Sequence, residues 1–254
     1  MTPAQHTGNI QKGGALLQDA RRLVEAWDLD GSTESNVERI VAQNVLGKST
    51  RRRTEDLMRR SLGPRLIGPG QQVISALRDL LADQTAFTEA VYYETSRDET
   101  LLAAFAEGPL FDWYHAGRSA VTIDDTTAWI AELSARGAMQ PTTQTVRTKV
   151  ARGLLAALRD FGVLEGATNK RFAHPHLSLR GFAYVAFRLH EQGASSTAIV
   201  SSTVWRRWLL DRARVDDLLY QAARAGVLDY GAAGSAVRID WRVSSIEEAV
   251  RAAA

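Results

Sequence analysis

Apolar side chains recur at three- and four-residue intervals along most of this chain, and each run stops at a glycine or a Gly-Pro pair. Such spacing puts the apolar residues on one stripe of a helix and leaves the rest to water, which predicts a mostly α architecture of half-buried helices. From Ala15 to Leu29 the stripe holds Leu16, Leu17, Ala20, Leu23, Val24 and Trp27. A second helix is expected to open at Ser35, where Ser35 and Glu38 read as a capping box, and to stop at Gly47. A third runs over 49–62, and Gly63-Pro64 and Gly68-Pro69-Gly70 then break the chain. Further helices are predicted at 71–83, 85–95 and 97–106, the last behind a Ser96–Glu99 capping box, with Gly108-Pro109 as the next break. Thr122 with Asp125 opens another, which ends at Gly137.

The chain is long enough to need no staples. With 254 residues, 45% of them hydrophobic, a domain of this size buries roughly 70% or more of its unfolded surface. The absence of cysteine removes disulfides, thiolate metal sites and cysteine nucleophiles. No run approaches the ~20 apolar residues that span a bilayer, and the first residues lack a signal-peptide core. The expectation is a soluble, cytoplasmic protein.

The C-terminal half repeats itself. Leu154-Leu155 through Gly162-Val163-Leu164 aligns with Leu218-Leu219 through Gly226-Val227-Leu228, an offset of 218 − 154 = 64 residues. Each copy reads as a helix with a glycine stop, a short apolar strand, a turn and a second strand. That order is the ending of a winged-helix motif, which places the helix before the hairpin in the DNA major groove. Four regions follow: 1–70, helical with an Arg-rich helix; 71–121, helical and acidic; 122–176, a first winged-helix-like motif; and 177–254, a second.

Charge is unevenly spread. Between Asp79 and Glu132 stand eleven acidic residues against Arg97 and Arg118, whereas Lys48–Arg65 and Arg136–Arg171 each hold seven basic residues against two acidic ones. On a helix over 143–161, Val146, Val150, Leu154, Ala157, Leu158 and Phe161 share one face. Thr143, Thr145, Thr148, Lys149 and Arg152 lie away from it, with no carboxylate before Asp160, and hydroxyls and cations suit phosphates and base edges. Arg147 falls nearer the buried stripe. In the wing, Lys170, Arg171 and His174 would sit beside the DNA backbone or minor groove. The other candidates are Lys48, Arg51, Arg52, Arg53, Arg60 and Arg65, with Arg52 expected to pair with Asp56 and Arg59 with Glu55 at i, i+4 spacing. The competing expectation is that this cluster docks on the acidic 79–132 stretch. A weaker patch is Arg206, Arg207, Arg212 and Arg214 around Trp205 and Trp208, whose rings are expected in the core of the second winged-helix-like motif rather than as a base-stacking platform.

Nothing points to catalysis. GxxxxGK[ST], GxGxxG, GxSxG and HExxH are all absent. His174-Pro-His176 places two imidazoles together without a third ligand at metal spacing. No metal, cofactor or small-molecule substrate is expected.

In order along the chain, Lys12-Gly-Gly-Ala-Leu-Leu-Gln, Val41-Ala-Gln-Asn-Val-Leu-Gly-Lys48, Ser49-Thr-Arg-Arg-Arg53, Pro64-Arg-Leu66, Gln140-Pro-Thr-Thr-Gln-Thr-Val-Arg-Thr-Lys149 and Leu158-Arg-Asp-Phe-Gly-Val-Leu164 resemble the BrxA family of BREX bacteriophage-exclusion systems. The resemblance implies a small, mostly helical, non-enzymatic accessory protein that binds double-stranded DNA beside a methyltransferase and ATPases. Some members of the family have been labelled inner-membrane proteins, and this sequence, without a long apolar run, gives that label no support. The second wing, Gly231-Ala-Ala-Gly-Ser235, has no cation before Arg238, which departs from a DNA-binding wing. Two other readings stand beside this one: an adaptor that grips proteins of the same complex through winged-helix surfaces, and a winged-helix transcriptional regulator.

Overall fold

The computed structural model describes residues 6–234 and 236–254. The helices in chain order are α1 (Ile10–Gly13), α2 (Leu17–Ala26), α3 (Thr33–Ala42), α4 (Arg51–Leu57), α5 (Gln71–Asp79), α6 (Gln84–Asp98), α7 (Thr100–Phe105), α8 (Phe111–His115), α9 (Ile123–Ala135), α10 (Gln144–Asp160), α11 (Leu179–Glu191), α12 (Ser196–Val200), α13 (Arg212–Arg224) and α14 (Ile246–Ala252). The strands are β1 (Ala120–Val121), β2 (Leu164–Glu165), β3 (Lys170–Phe172), β4 (Leu228–Ala233) and β5 (Ala236–Trp241). The mostly α expectation holds, with strands confined to small antiparallel sheets.

One Gly-Pro pair behaves differently from the sequence expectation. Pro64 lies inside a wide helical turn, Met58–Ile67, rather than in a break. Proline cannot donate to an i−4 carbonyl and its ring collides with it. Widening the turn relieves the collision, as the i→i+5 bond from Gly68 N to Gly63 O (2.8 Å) shows. At Gly108 the backbone leaves helical angles altogether, so two helical segments meet at a kink there and the expected Gly108-Pro109 break is present. Two expected caps also move. The cap of α3 is Ser32, whose hydroxyl accepts from Ser35 N, and Ser96 is buried inside α6. The Thr122–Asp125 capping box is present.

The chain divides into two compact units. The first contains the segment up to Leu16, Thr95–His176 and Thr203–Leu210. Phe105 is its aromatic centre, 5.8 Å from Trp113 and 4.9 Å from Trp129. Trp205 and Trp208 are buried as expected, but they belong to this unit and not to the one that holds the second helix–hairpin. Here α9 and α1 pack on α10, and β1, β3 and β2 form a sheet in that order. Ala120 and Val121 pair with Arg171 and Lys170, and Leu164 and Glu165 pair with Phe172 and Arg171.

The second unit contains Leu17–Glu94, Leu177–Ser202 and Asp211–Ala254. It packs α11 against α14 and α13, and α5 against α14 and α2. Its hairpin, β4 with β5, runs from Leu228↔Trp241 to Ala233↔Ala236. The two helix–hairpin motifs stop their helices identically: Gly162 and Gly226 hold φ of 78° and 81°, and Val163 N and Val227 N reach back to Leu158 O and Ala222 O. These are Schellman stops, which require the left-handed backbone that glycine adopts freely. Each hairpin is then closed by the same bond, Ala173 N to Val163 O and Arg242 N to Val227 O. The repeat in sequence is thus a repeat in structure.

Carboxylates from the acidic stretch are consumed internally. Glu94 meets Arg188 and Tyr184, both at 2.9 Å. Glu107 holds Arg207 at 2.7 Å, and Asp125 holds Arg118 at 2.6 Å. Glu89 accepts from Ser178 N at 2.9 Å and from the Ser178 hydroxyl, capping α11. Burial pushes the Glu89 carboxyl up to about 7, with the nearby Asp83 adding to the rise and the Ser178 bonds opposing it. The folded protein therefore holds this proton more tightly than the unfolded chain does. Stability is expected to be highest below the ordinary value near 4.5, to fall as pH rises to about 7 by on the order of 3 kcal/mol, and then to level off with respect to this group. Urea unfolding across that range should show the slope, and Glu89→Gln should flatten it.

Candidate nucleic-acid interface

In the second compact unit the arginine-rich helix is positioned from one side. Asn44, at φ 47°, brackets the preceding turn: its amide donates to Lys48 O and its carbonyl oxygen accepts from Lys48 N and from the Thr54 hydroxyl. Thr50 caps α4 by accepting from Arg53 N. Thr54, Leu57, Met58, Ser61 and Leu62 are buried, so Arg51, Arg52, Arg53, Arg59 and Arg60 are left facing water. Between their side chains lies a groove of about 590 Å³ lined by Thr50, Arg52, Arg53, Glu55, Asp56, Arg59 and Arg60.

The ion pairs there differ in register from the expected ones. Glu55 takes Arg51 at 2.9 Å and Asp56 takes Arg60 at 2.8 Å, with Arg53 3.6 Å away. Each carboxylate has arginines both four before and four after it, so spacing alone could not choose between them. Arg52 and Arg59 consequently have no ion-pair partner among the described residues, and Arg59 joins the exposed cations although the sequence reading had it neutralised. Lys48 is an anchor, its ammonium 2.6 Å from Asp19. Arg65 is only 1% exposed. Its position on the inner side of the wide turn, between Leu62 and Leu66, withdraws it from any outer surface, and it leaves the candidate set.

The first compact unit carries the other candidates, on α10 and its hairpin. Thr143 is the N-cap, its hydroxyl accepting from Val146 N. Thr148 donates back to Gln144 O at 3.0 Å. Arg147 folds onto the start of its own helix, donating to Thr142 O at 2.6 Å and to Gln144 Oε1 at 3.0 Å. Thr145, Lys149 and Arg152 remain exposed, and neither cation has a carboxylate partner among the described residues. Within β3 successive side chains face opposite sides, so only one of Lys170 and Arg171 can point out. Lys170 points in: it is 8% exposed, it donates to Gly166 O (2.8 Å) and Ala167 O, and desolvation lowers its pKa. It holds the turn of the wing and leaves the candidate set, whereas Arg171 stays exposed. The two-residue β1 that completes this sheet has no periodicity of its own and was not foreseen. Its one signal is an apolar Val121 directly before the Thr122 cap.

The second helix–hairpin motif neutralises most of its own cations, Arg224 being exposed without an ion-pair partner among the described residues. Arg212 sits 2.9 Å from Asp216 and Arg214 3.9 Å from Asp217. On the hairpin Arg238 pairs with Asp240 and Arg242 with Asp229, each at 2.5 Å. Its turn is made of small residues, of which Ser235 lies outside the described residues. Among the described residues no three His, Asp or Glu side chains gather as a metal site, and no helix is long and apolar enough to cross a membrane.

A family model described as BrxA matches residues 4–188. The chain belongs to the BrxA family. Membership suggests a role in BREX phage defence, with other BREX proteins as partners. The matched range spans both candidate basic surfaces and stops within α11, before the second helix–hairpin motif. No curated protein matches the chain. Among solved structures it is similar to the crystal structure of an uncharacterized protein from Magnetospirillum magneticum, with a TM-score of 0.61 and 21% identity over 80% of this chain and 98% of that one. That likeness supports the fold of a BrxA-family protein and carries no function.

Proposed function

We propose that this BrxA-family chain is a non-enzymatic accessory protein of a BREX system that binds double-stranded DNA through α10, with Arg171 in its wing, and through the outer face of α4. The observation that carries the reading is the exposed, carboxylate-free face of Thr145, Lys149 and Arg152 on α10. In support, β1, α9, α10, β2 and β3, with sheet order β1-β3-β2, follow the winged-helix plan, in which the helix before the hairpin enters the major groove. Cations without internal partners are the ones free to neutralise phosphates and release counterions.

Fluorescence anisotropy with a labelled duplex across a salt series tests this. Binding should weaken steeply with salt, with a log–log slope of about −0.9 per phosphate contact. Retention that does not respond to salt, or no binding at low salt, would refute the proposal. On α4, Arg52→Ala with Arg59→Ala should reduce the magnitude of the slope by about 2 and leave the melting temperature in place, because neither guanidinium pairs internally. Arg51→Ala with Arg60→Ala should reduce it less, since those two cations already share Glu55 and Asp56. A salt series on both double variants measures the difference.

A further inference from the structure

The second helix–hairpin motif ends in an open strand edge. Arg242 N bonds to Val227 O, so in the ladder that follows, Asp229↔Asp240 and Gly231↔Arg238 exchange the bonds between β4 and β5. The N–H and C=O groups of Leu228, Tyr230 and Ala232 then point away from β5. On β5 the corresponding outward amide, Ile239 N, is covered by the Ser196 hydroxyl at 3.1 Å. For Tyr230 and Ala232 no backbone or side-chain partner stands on the outer side among the described residues. Protected edges carry lysine, proline, a bulge or a covering element. The outer half of β4, Tyr230-Gly-Ala-Ala233, has none of these among its residues.

We propose that a second copy of the chain covers this edge, the two β4 strands pairing antiparallel about Tyr230 into a continuous sheet of two hairpins. This inference is independent of DNA binding. A two-fold axis at Tyr230 places Leu228 opposite Ala232 and Asp229 opposite Gly231 of the other copy, so Asp229 never faces its own equivalent. Charge complementarity supports this register as a joining of two existing ion pairs across the seam, since Arg238 already holds Asp240 and Asp229 already holds Arg242 within each hairpin. Arg238, paired across β4 with Gly231 and 81% exposed along its side chain, lies in the row that continues over Gly231 to Asp229 of the second copy. Gly231 has open space where a side chain would stand, so the guanidinium can pass over it. On the other face of the sheet Tyr230 meets its equivalent, an aromatic cross-strand pair of the kind that stabilises sheets. Tyr220, a large side chain left 49% exposed, stacks edge-on against Tyr230 at 4.9 Å and would be shielded beside the seam.

Sedimentation velocity over a concentration series tests the proposal. The 27.9 kDa chain should pass reversibly to twice that mass. Ala232→Pro removes an outward amide that the hairpin does not use, and should move the midpoint to higher concentration by about tenfold or more with an unchanged circular dichroism spectrum. Asp229→Arg, which sets two cations against each other across the seam, should do the same. If Ala232→Pro unfolds the hairpin, hydrogen exchange on the unaltered chain decides: the Tyr230 and Ala232 amides should be protected in the dimer and lose protection on dilution. A chain that stays monomeric at its highest soluble concentration overturns the proposal. So does a dimer indifferent to both substitutions, or one whose Tyr230 and Ala232 amides exchange freely.

Discussion

Arg188→Leu is expected to cost about 3–5 kcal/mol and to lower the melting temperature by on the order of 10 °C. Arg188 and Glu94 lie within the second compact unit with their side chains 7% and 0% exposed, 2.9 Å apart. Arg188 also reaches Glu191 at 2.7 Å, while the Tyr184 hydroxyl donates to Glu94. Burial and the adjacent Glu94 hold the Tyr184 phenol well above its ordinary value, so it stays a donor at any physiological pH. Removing the guanidinium takes the opposite charge away from the buried Glu94 carboxylate, and uncompensated desolvation is what makes such truncations expensive. Arg188→Leu with Glu94→Met removes both charges and should recover part of the loss, the remainder being the Tyr184 hydroxyl left without its acceptor. Urea unfolding followed by tryptophan fluorescence measures all three chains. A single variant as stable as the starting protein would mean that the pair contributes no net stability.

Lys149→Glu with Arg152→Glu is expected to weaken duplex binding by about a hundredfold or more at low salt, on the basis of two charge-assisted contacts at ~1.5–3 kcal/mol each. The log–log salt slope should also fall in magnitude by about 2. Both side chains are exposed and unpaired, so stability should move by no more than about 0.5 kcal/mol, which separates loss of contact from loss of fold. Arg212→Ala with Arg214→Ala is the internal comparison. These residues occupy the corresponding helix of the second motif, yet Asp216 and Asp217 already hold them, and affinity should change little. If the α10 variant bound duplex as tightly as the unaltered chain, α10 would lie outside the footprint. If the α13 variant lost affinity equally, the distinction drawn between the two motifs would fail.

Much of this molecule is legible residue by residue. The stripe from Val150 to Leu158, the Thr122–Asp125 capping box and the glycine stops at 162 and 226 depend on contacts within a few positions, and each is where local spacing puts it. The misread features have partners or packing that spacing does not reveal. Ser96 has the look of a cap but receives Arg207 from 111 positions away. Glu55 and Asp56 each have two arginines at equal separation, and only the folded side-chain positions show that Arg51 and Arg60 are the ones taken. Lys170 and Arg171 are chemically alike in sequence and opposite in role, because the pairing of β3 with β1 decides which one faces in.

Helix periodicity and left-handed glycine stops made the fold class and the repeated helix–hairpin plan readable from the chain alone, since backbone sterics and near-neighbour hydrogen bonding act over a turn or two. Which cations remain available to a polyanion was settled only by tertiary packing. A guanidinium's freedom depends on whether a carboxylate or a carbonyl from elsewhere has already reached it, and no local spacing encodes that distance.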